Sequence, residues 1–185
     1  MSHQVRVELR AAQPYAGIRM RVTMDGLSGA VDEAFPELFG WLAAQDVPVA
    51  GPPFIRYLVI DMAAGLQIEM GVPVATAIDD AGRDGDSGDG DSGDGDRGDG
   101  GRITPGVLPA GQYAVLRHTG PYDGLVASNA ALQRWAEEHG VTFDSWDTPQ
   151  GTAWRARAEH YLTNPAAEPD PSKWEVDVAY LITES

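Results

Sequence analysis

Two kinds of hydrophobic spacing recur along this chain, in the same order twice. Over residues 16–24 apolar and polar positions alternate, which sets Ile18, Met20, Val22 and Met24 on one side, as in a half-buried strand. Residues 5–9 alternate more weakly. Residues 27–45 change period: Leu27, Val31, Ala34, Leu38 and Leu42 fall on one helical face. Pro36 interrupts that pattern and predicts a break or kink, with Pro36 opening the longer piece. Residues 53–61 and 66–74 then read as strands.

The order returns further on. Residues 112–118 predict a strand. Gly120-Pro121-Tyr122-Asp123 predicts a turn and a helix start with Asp123 as N-cap. Residues 125–139 carry helical spacing and Gly140 suits the position after a helix end. Residues 154–162 and 174–182 alternate as strands. Local matches reinforce the repeat: Trp41-Leu-Ala-Ala-Gln-Asp-Val47 parallels Trp135-Ala-Glu-Glu-His-Gly-Val141, and Ile68-Glu-Met-Gly-Val-Pro-Val74 parallels Val176-Asp-Val-Ala-Tyr-Leu-Ile182.

Each half is β-α-β-β. Such a unit leaves a sheet face and an edge uncovered, which a second copy completes. The expectation is an α+β fold: a tandem β-α-β-β repeat with pseudo-twofold symmetry, an antiparallel curved sheet and a ligand cleft between the halves. Residues 1–78 form the first half and 103–185 the second. Residues 79–102 read as an acidic, flexible Asp/Gly-rich linker in which Asp-Gly-Asp-Ser-Gly recurs from Asp84. The five-residue phase and the lack of glutamate do not match an EF-hand calcium loop. Arg97-Gly-Asp99, an adhesion-like tripeptide, follows from an Asp/Gly repeat containing arginine.

Charge narrows the chemistry. The 185 residues carry a net charge of −15, which argues against nucleic acid as a partner and favours cations. There is no cysteine, so thiol and disulfide chemistry are excluded. The four histidines lack metal-ligand spacing, so no metal and no cofactor are expected. The N-terminus lacks a signal-like apolar region and no apolar run is long enough to span a bilayer. A cytoplasmic protein without a membrane partner is the expectation.

The run Trp154-Arg-Ala-Arg-Ala-Glu-His-Tyr-Leu-Thr-Asn-Pro165 holds the candidate chemistry. As one strand it sets Arg155, Arg157, Glu159 and Tyr161 on one face, and Trp154, Ala156, Ala158, His160 and Leu162 on the other. Glu159 then has two readings: a surface carboxylate paired with Arg155 or Arg157, or a charge presented to a ligand. Tyr161 shares its face, and Tyr57 occupies the corresponding strand of the first half, so pseudo-symmetry can place it opposite Glu159. Trp41 and Trp135 occupy matching helix positions and either anchor the cores or wall the cleft. Trp146 falls in an expected loop, as a lid. His118 reads as a neutral histidine bonded to backbone, with a water-orienting role as the alternative. Tyr113 and Tyr122 read as structural.

Leu108-Pro-Ala-Gly-Gln-Tyr-Ala-Val-Leu-Arg-His-Thr-Gly-Pro-Tyr122, together with Glu159-His-Tyr-Leu-Thr-Asn-Pro165, Pro169-Asp-Pro171 and Trp174, resembles the GyrI-like small-molecule-binding family. This family is also known as the effector-binding domain of BmrR and AraC-type regulators. The resemblance implies a tandem SHS2-type repeat and a glutamate, at Glu159, pointing into an aromatic-lined cleft that takes lipophilic cations. Regulators of the family carry an upstream DNA-binding domain. The space before Val5 suggests a stand-alone member, and so a multidrug-type binder linked to antibiotic or toxin resistance.

Three functions follow from the resemblance. The first is sensing or sequestering lipophilic, often cationic, aromatic molecules with Glu159, Tyr161, Tyr57, Trp41 and Trp135. The second is hydrolysis of cyclopropane-bearing genotoxins, with Glu159 as general base and Tyr161 or an indole supporting the departing group. A second acid in the cleft would favour it, with Asp61, Glu69 and Asp177 as candidates. The third is contact with gyrase or with a regulator, in which the acidic linker imitates nucleic-acid charge.

Overall fold

The computed structural model describes residues 4–61, 63–78 and 102–184. The expected linker, apart from Arg102, lies outside the described residues, and Arg102 pairs with Glu37. The fold is α+β, with two α-helices among the described residues and a strongly curled antiparallel sheet.

The expected first half, residues 1–78, contributes β1 (Val5–Arg10), β2 (Gln13–Val22), α1 (Leu27–Ala44), β3 (Phe54–Asp61) and β4 (Gly65–Pro73). The second contributes β5 (Ile103–Leu108), β6 (Gly111–Thr119), α2 (Leu125–His139), β7 (Ser145–Thr148), β8 (Gly151–Trp154), β9 (Arg157–Tyr161) and β10 (Glu175–Leu181). The main strand order is β1-β6-β10-β9-β3-β4-β2-β5, with β8 joining β3 to β7. Each half thus lends its first strand to the other: β1 pairs β6, and β5 pairs β2. The seam is the β3–β9 pair, where Ile55 stands opposite Glu159.

Alternation decides what the sheet buries. On the face toward the helices, Ile18, Ile55, Ile68, Met70 and Leu38 form one core. Leu116, Leu132, Val176, Val178 and Tyr180 form a second. Helix α1 rests on β2 and β4, and α2 on β6 and β10. The two central strands, β3 and β9, lie between the helices, and their residues Ile55, Tyr57, Glu159 and Tyr161 floor a cleft there.

The opposite face has its own packing. Tyr15 and Phe54 meet edge to face with centroids 4.9 Å apart. Glycine makes room for them: a Cβ at Gly71 or Gly106 would stand 2.3 Å from the Phe54 or Tyr15 ring, respectively.

Several local expectations need correction. Helix α1 runs unbroken through Pro36. Pro36 and Asp32, whose carbonyl loses its partner, are both exposed, so water can serve that carbonyl while core packing holds the helix. Asp123 does not cap α2; it lies in a 3-10 turn, Tyr122–Gly124, and Gly124 precedes the helix without a side-chain cap. Gly140 does end α2 in the left-handed conformation, at φ 64°.

The expected strand 154–162 is two strands, β8 and β9, broken at Arg155–Ala156. The break lies opposite an irregularity in β3 between Tyr57 and Val59. It turns Trp154 to the same side as Arg157, whose guanidinium lies 4.8 Å from its ring, and not to the opposite face. Arg155 leaves that face and bonds Asp144 at 2.8 Å. Trp146 stands in β7 and not in a loop. Strands β5 and β7 carried too little alternation to be foreseen.

Candidate functional site

The cleft has a volume of about 1140 Å³. From α1 it receives Leu27, Val31, Phe35 and Phe39, a stripe spaced by four residues that lies along one side of a helix. Helix α2 gives Leu125, Val126, Asn129 and Gln133. The floor is Ile55 and Tyr57 from β3 with Arg157, Glu159 and Tyr161 from β9. Met24, Phe39, Val126 and Leu162 line the cleft and remain exposed, giving it an apolar mouth.

Glu159 is the acid at the floor, only 5% exposed. Its Oε2 accepts hydrogen bonds from the Tyr57 and Tyr161 hydroxyls, each at 3.0 Å. Its Oε1 accepts one from Asn129 Nδ2 at 2.8 Å. Among the described residues no arginine, lysine or histidine forms an ion pair with it. Burial, and then the negative charge of Glu159, pushes both phenols well above the usual tyrosine range. Both therefore stay protonated at neutral pH and remain donors.

Asn129 joins this carboxylate to the cleft's cation. Its second amide hydrogen goes to Leu125 O at 2.8 Å, which fixes the amide orientation. Its Oδ1 accepts from the Tyr180 hydroxyl at 2.6 Å and from Arg157 at 3.4 Å. The Arg157 guanidinium lies 4.8 Å from the Trp154 and Tyr180 ring centroids and 5.6 Å from that of Tyr57. Sequence reasoning treated Arg157 only as an ion-pair partner and missed Asn129. A polar residue one turn after Leu125, on the buried face of α2, was the available signal.

The other candidates sit elsewhere. Trp41 packs against the first core, and Trp135 packs against the second and stacks on His139 at 4.8 Å; neither lines the cleft. Symmetry placed them alike, but on the core side of each helix. His118 joins Ser128 Oγ and Pro121 O, both at 2.9 Å, and ties the end of β6 to α2 outside the cleft. Asp61 accepts from the Ala63 and Ala64 amides in a turn. Glu69 and Asp177 lie on the other sheet face, bonded to Arg19, and to Arg6 and Arg117. Among the described residues no histidine, aspartate or glutamate cluster is suited to a metal ion, and no helix is long and apolar enough to cross a membrane.

A mostly apolar cleft with a few convergent polar groups defines a small-molecule-binding domain. The chain belongs to the GyrI-like small molecule binding domain family, whose model matches residues 3–181. Solved structures share its fold. The C-terminal domain of EcmrR is 18% identical with a TM-score of 0.68, each chain covered over 100% of its length. A hydrolase from Listeria innocua is 14% identical at a TM-score of 0.58, covering 98% of this chain and 92% of that one. SAV2435 bound to tetraphenylphosphonium is 9% identical at 0.53, covering 97% and 94%. Against EcmrR in its DNA complex (17% identity, TM-score 0.69), 99% of this chain matches but only 58% of that one. No curated protein matches the sequence.

Proposed function

We propose that the cleft binds lipophilic, often cationic, aromatic molecules, with Glu159 as the counter-charge, so that the domain senses or sequesters them. The observation that carries this reading is the surroundings of Glu159. Taking a carboxylate out of water costs several kcal/mol unless its charge is answered. Two phenols and an amide satisfy its hydrogen bonding, yet none of them carries a positive charge. A ligand cation would supply what is missing. Tetraphenylphosphonium, bound by SAV2435 on the same fold, is such a molecule.

Magnitudes divide the work. Burying about 250 Å² of apolar ligand surface contributes about 6 kcal/mol before association costs. A desolvated cation–π contact adds up to about 2 kcal/mol. Apolar surface supplies most of the attraction, and Glu159 sets the preferred charge. The net is broad recognition at roughly micromolar affinity.

The test is titration of Glu159→Gln with a cationic rhodamine ester and with a neutral aromatic dye. The cationic dye should bind at least about tenfold more weakly, a change of about 1.4 kcal/mol, and the neutral dye within about twofold. Equal losses for both would overturn the charge role.

The protonated phenols around the same carboxylate support a second reading, ring-opening hydrolysis of a cyclopropane-bearing electrophile. A water oxygen would bond to the strained ring carbon as the ring C–C bond breaks. The proton of that water would pass to Glu159, and the electron pair to the remainder of the substrate, which a phenol protonates. Mass analysis after incubation distinguishes the two: addition of one water means catalysis, and unchanged compound means binding alone.

A further inference from the structure

The Arg157 guanidinium is the unusual group in this cleft. Arg6, Arg10, Arg19, Arg117 and Arg155 each have a carboxylate partner. Arg56, half-buried and without one, has three oxygen acceptors instead: the Tyr15 hydroxyl and the carbonyls of Val107 and Arg155. Arg157 is also half-buried, but it is surrounded by three aromatic rings. It makes one long hydrogen bond to Asn129, at 3.4 Å, and its charge also acts on the neighbouring Tyr180 hydroxyl. The Arg157 Nε is buried without a partner among the described residues, as is that of Arg56, but Arg157 lacks the oxygen acceptors that Arg56 has at its other nitrogens.

A guanidinium offers five N–H donors and cannot shed its charge. Rings answer part of that charge through their faces but accept no strong hydrogen bond. Arg157 is therefore short of hydrogen-bond acceptors, whereas Glu159 has its hydrogen bonds but no opposite charge in contact. The two are held in one frame, because Asn129 bonds both. Two hydrogen bonds and the width of an amide set the charged heads roughly 6–8 Å apart.

This changes what the cleft asks of a ligand. A simple monocation gains from Glu159 but meets Arg157 in the same low-dielectric space, where like charges repel. A ligand with a carboxylate a few bonds from its cation would turn that repulsion into a charge-assisted bond of the kind guanidinium and carboxylate make bidentate.

Resting on the binding function proposed above, we propose that the preferred ligands are aromatic zwitterions. The cationic end faces Glu159 and the carboxylate faces Arg157, while the aromatic body lies along the Phe35 and Phe39 side of the cleft.

The test uses a matched pair of phosphonium compounds at pH 7.5, measured by calorimetry. Pentyltriphenylphosphonium is a monocation. (4-Carboxybutyl)triphenylphosphonium has the same aromatic head and chain length but ends in a carboxylate. The zwitterion should bind the wild-type domain about tenfold more tightly than the monocation. Arg157→Met should abolish or reverse that preference, and Arg157→Lys, which keeps the charge, should retain part of it.

Equal or tighter binding of the monocation to the wild type would overturn the zwitterion proposal and leave the binding function standing. So would a preference that survives in Arg157→Met. If Arg157→Met fails to fold by circular dichroism, Arg157→Gln replaces it and is read in the same way. Absence of binding by both compounds would overturn this proposal and the cationic-ligand function together.

Discussion

The two faces of the central sheet treat buried charge in opposite ways. On the face away from the helices, Asp177 lies between Arg6 and Arg117, and Glu69 bonds Arg19. Each of these acids meets at least one guanidinium. On the cleft face Glu159 meets only neutral donors, and Arg157 meets rings and one amide oxygen. Both faces belong to the same strands: Asp177 lies opposite His160 in the ladder, and Val178 opposite Glu159. The difference teaches where charge is closed within the fold and where it is left without an opposite charge in contact. Closed pairs satisfy themselves; the cleft groups are held in place by hydrogen bonds that do not answer their charge.

The comparison can be broken by substitution. The largest effect is expected on the closed face. Phe54→Ala should cost about 3–5 kcal/mol of unfolding free energy in urea melts, because it removes a fully buried ring that packs on Tyr15 over Gly71.

Next is acid sensitivity on the same face. Burial, and then the Arg10 charge, lower His160 to about 4. Its folded value lies below its unfolded one, near 6.5, so its contribution is present above about pH 6.5 and is lost as pH falls toward 4. Stability should decline by roughly 1 kcal/mol per pH unit across that window, and the decline should flatten in His160→Leu.

The sharpest contrast pairs two isosteric changes. Asp177→Asn should lower stability by about 2 kcal/mol, since it leaves Arg6 and Arg117 short of a partner, with dye binding unchanged. Glu159→Gln should do the reverse, with cationic-dye affinity reduced and stability within about 1 kcal/mol of wild type. Matching effects from the two changes would erase the distinction between the faces.

The smallest expected effect is that of Trp135→Phe. It packs on the second core outside the cleft, and so should change dye affinity by less than about twofold.

Much of the frame was legible in the chain. Ile18, Met20 and Val22 announce β2, and Leu38 and Leu42 announce the buried face of α1, because a half-buried element must repeat its apolar residues at its own period. The run from Arg157 to Tyr161 placed Arg157, Glu159 and Tyr161 on one face by the same rule. The expectation failed at Arg155–Ala156, where β8 ends and β9 begins opposite the irregularity in β3. A strand's break depends on its partner's register, and that partner lies about a hundred residues away in the sequence. The indoles failed for a related reason: matching positions on two helices say nothing about which side of each helix meets the sheet.

Sequence alone put Arg157, Glu159 and Tyr161 on one strand face, in a chain without cysteine whose repeat predicts a seam. It did not reveal Asn129, and it set Trp41 and Trp135 beside them, which the fold keeps out of the cleft. Only the tertiary structure decided which charges are closed. Alternation gives every strand two faces but does not say which face the helices pack on, or where on it they leave a gap. That depends on where α1 and α2 come to rest: over the flanking strands, with β3 and β9 between them.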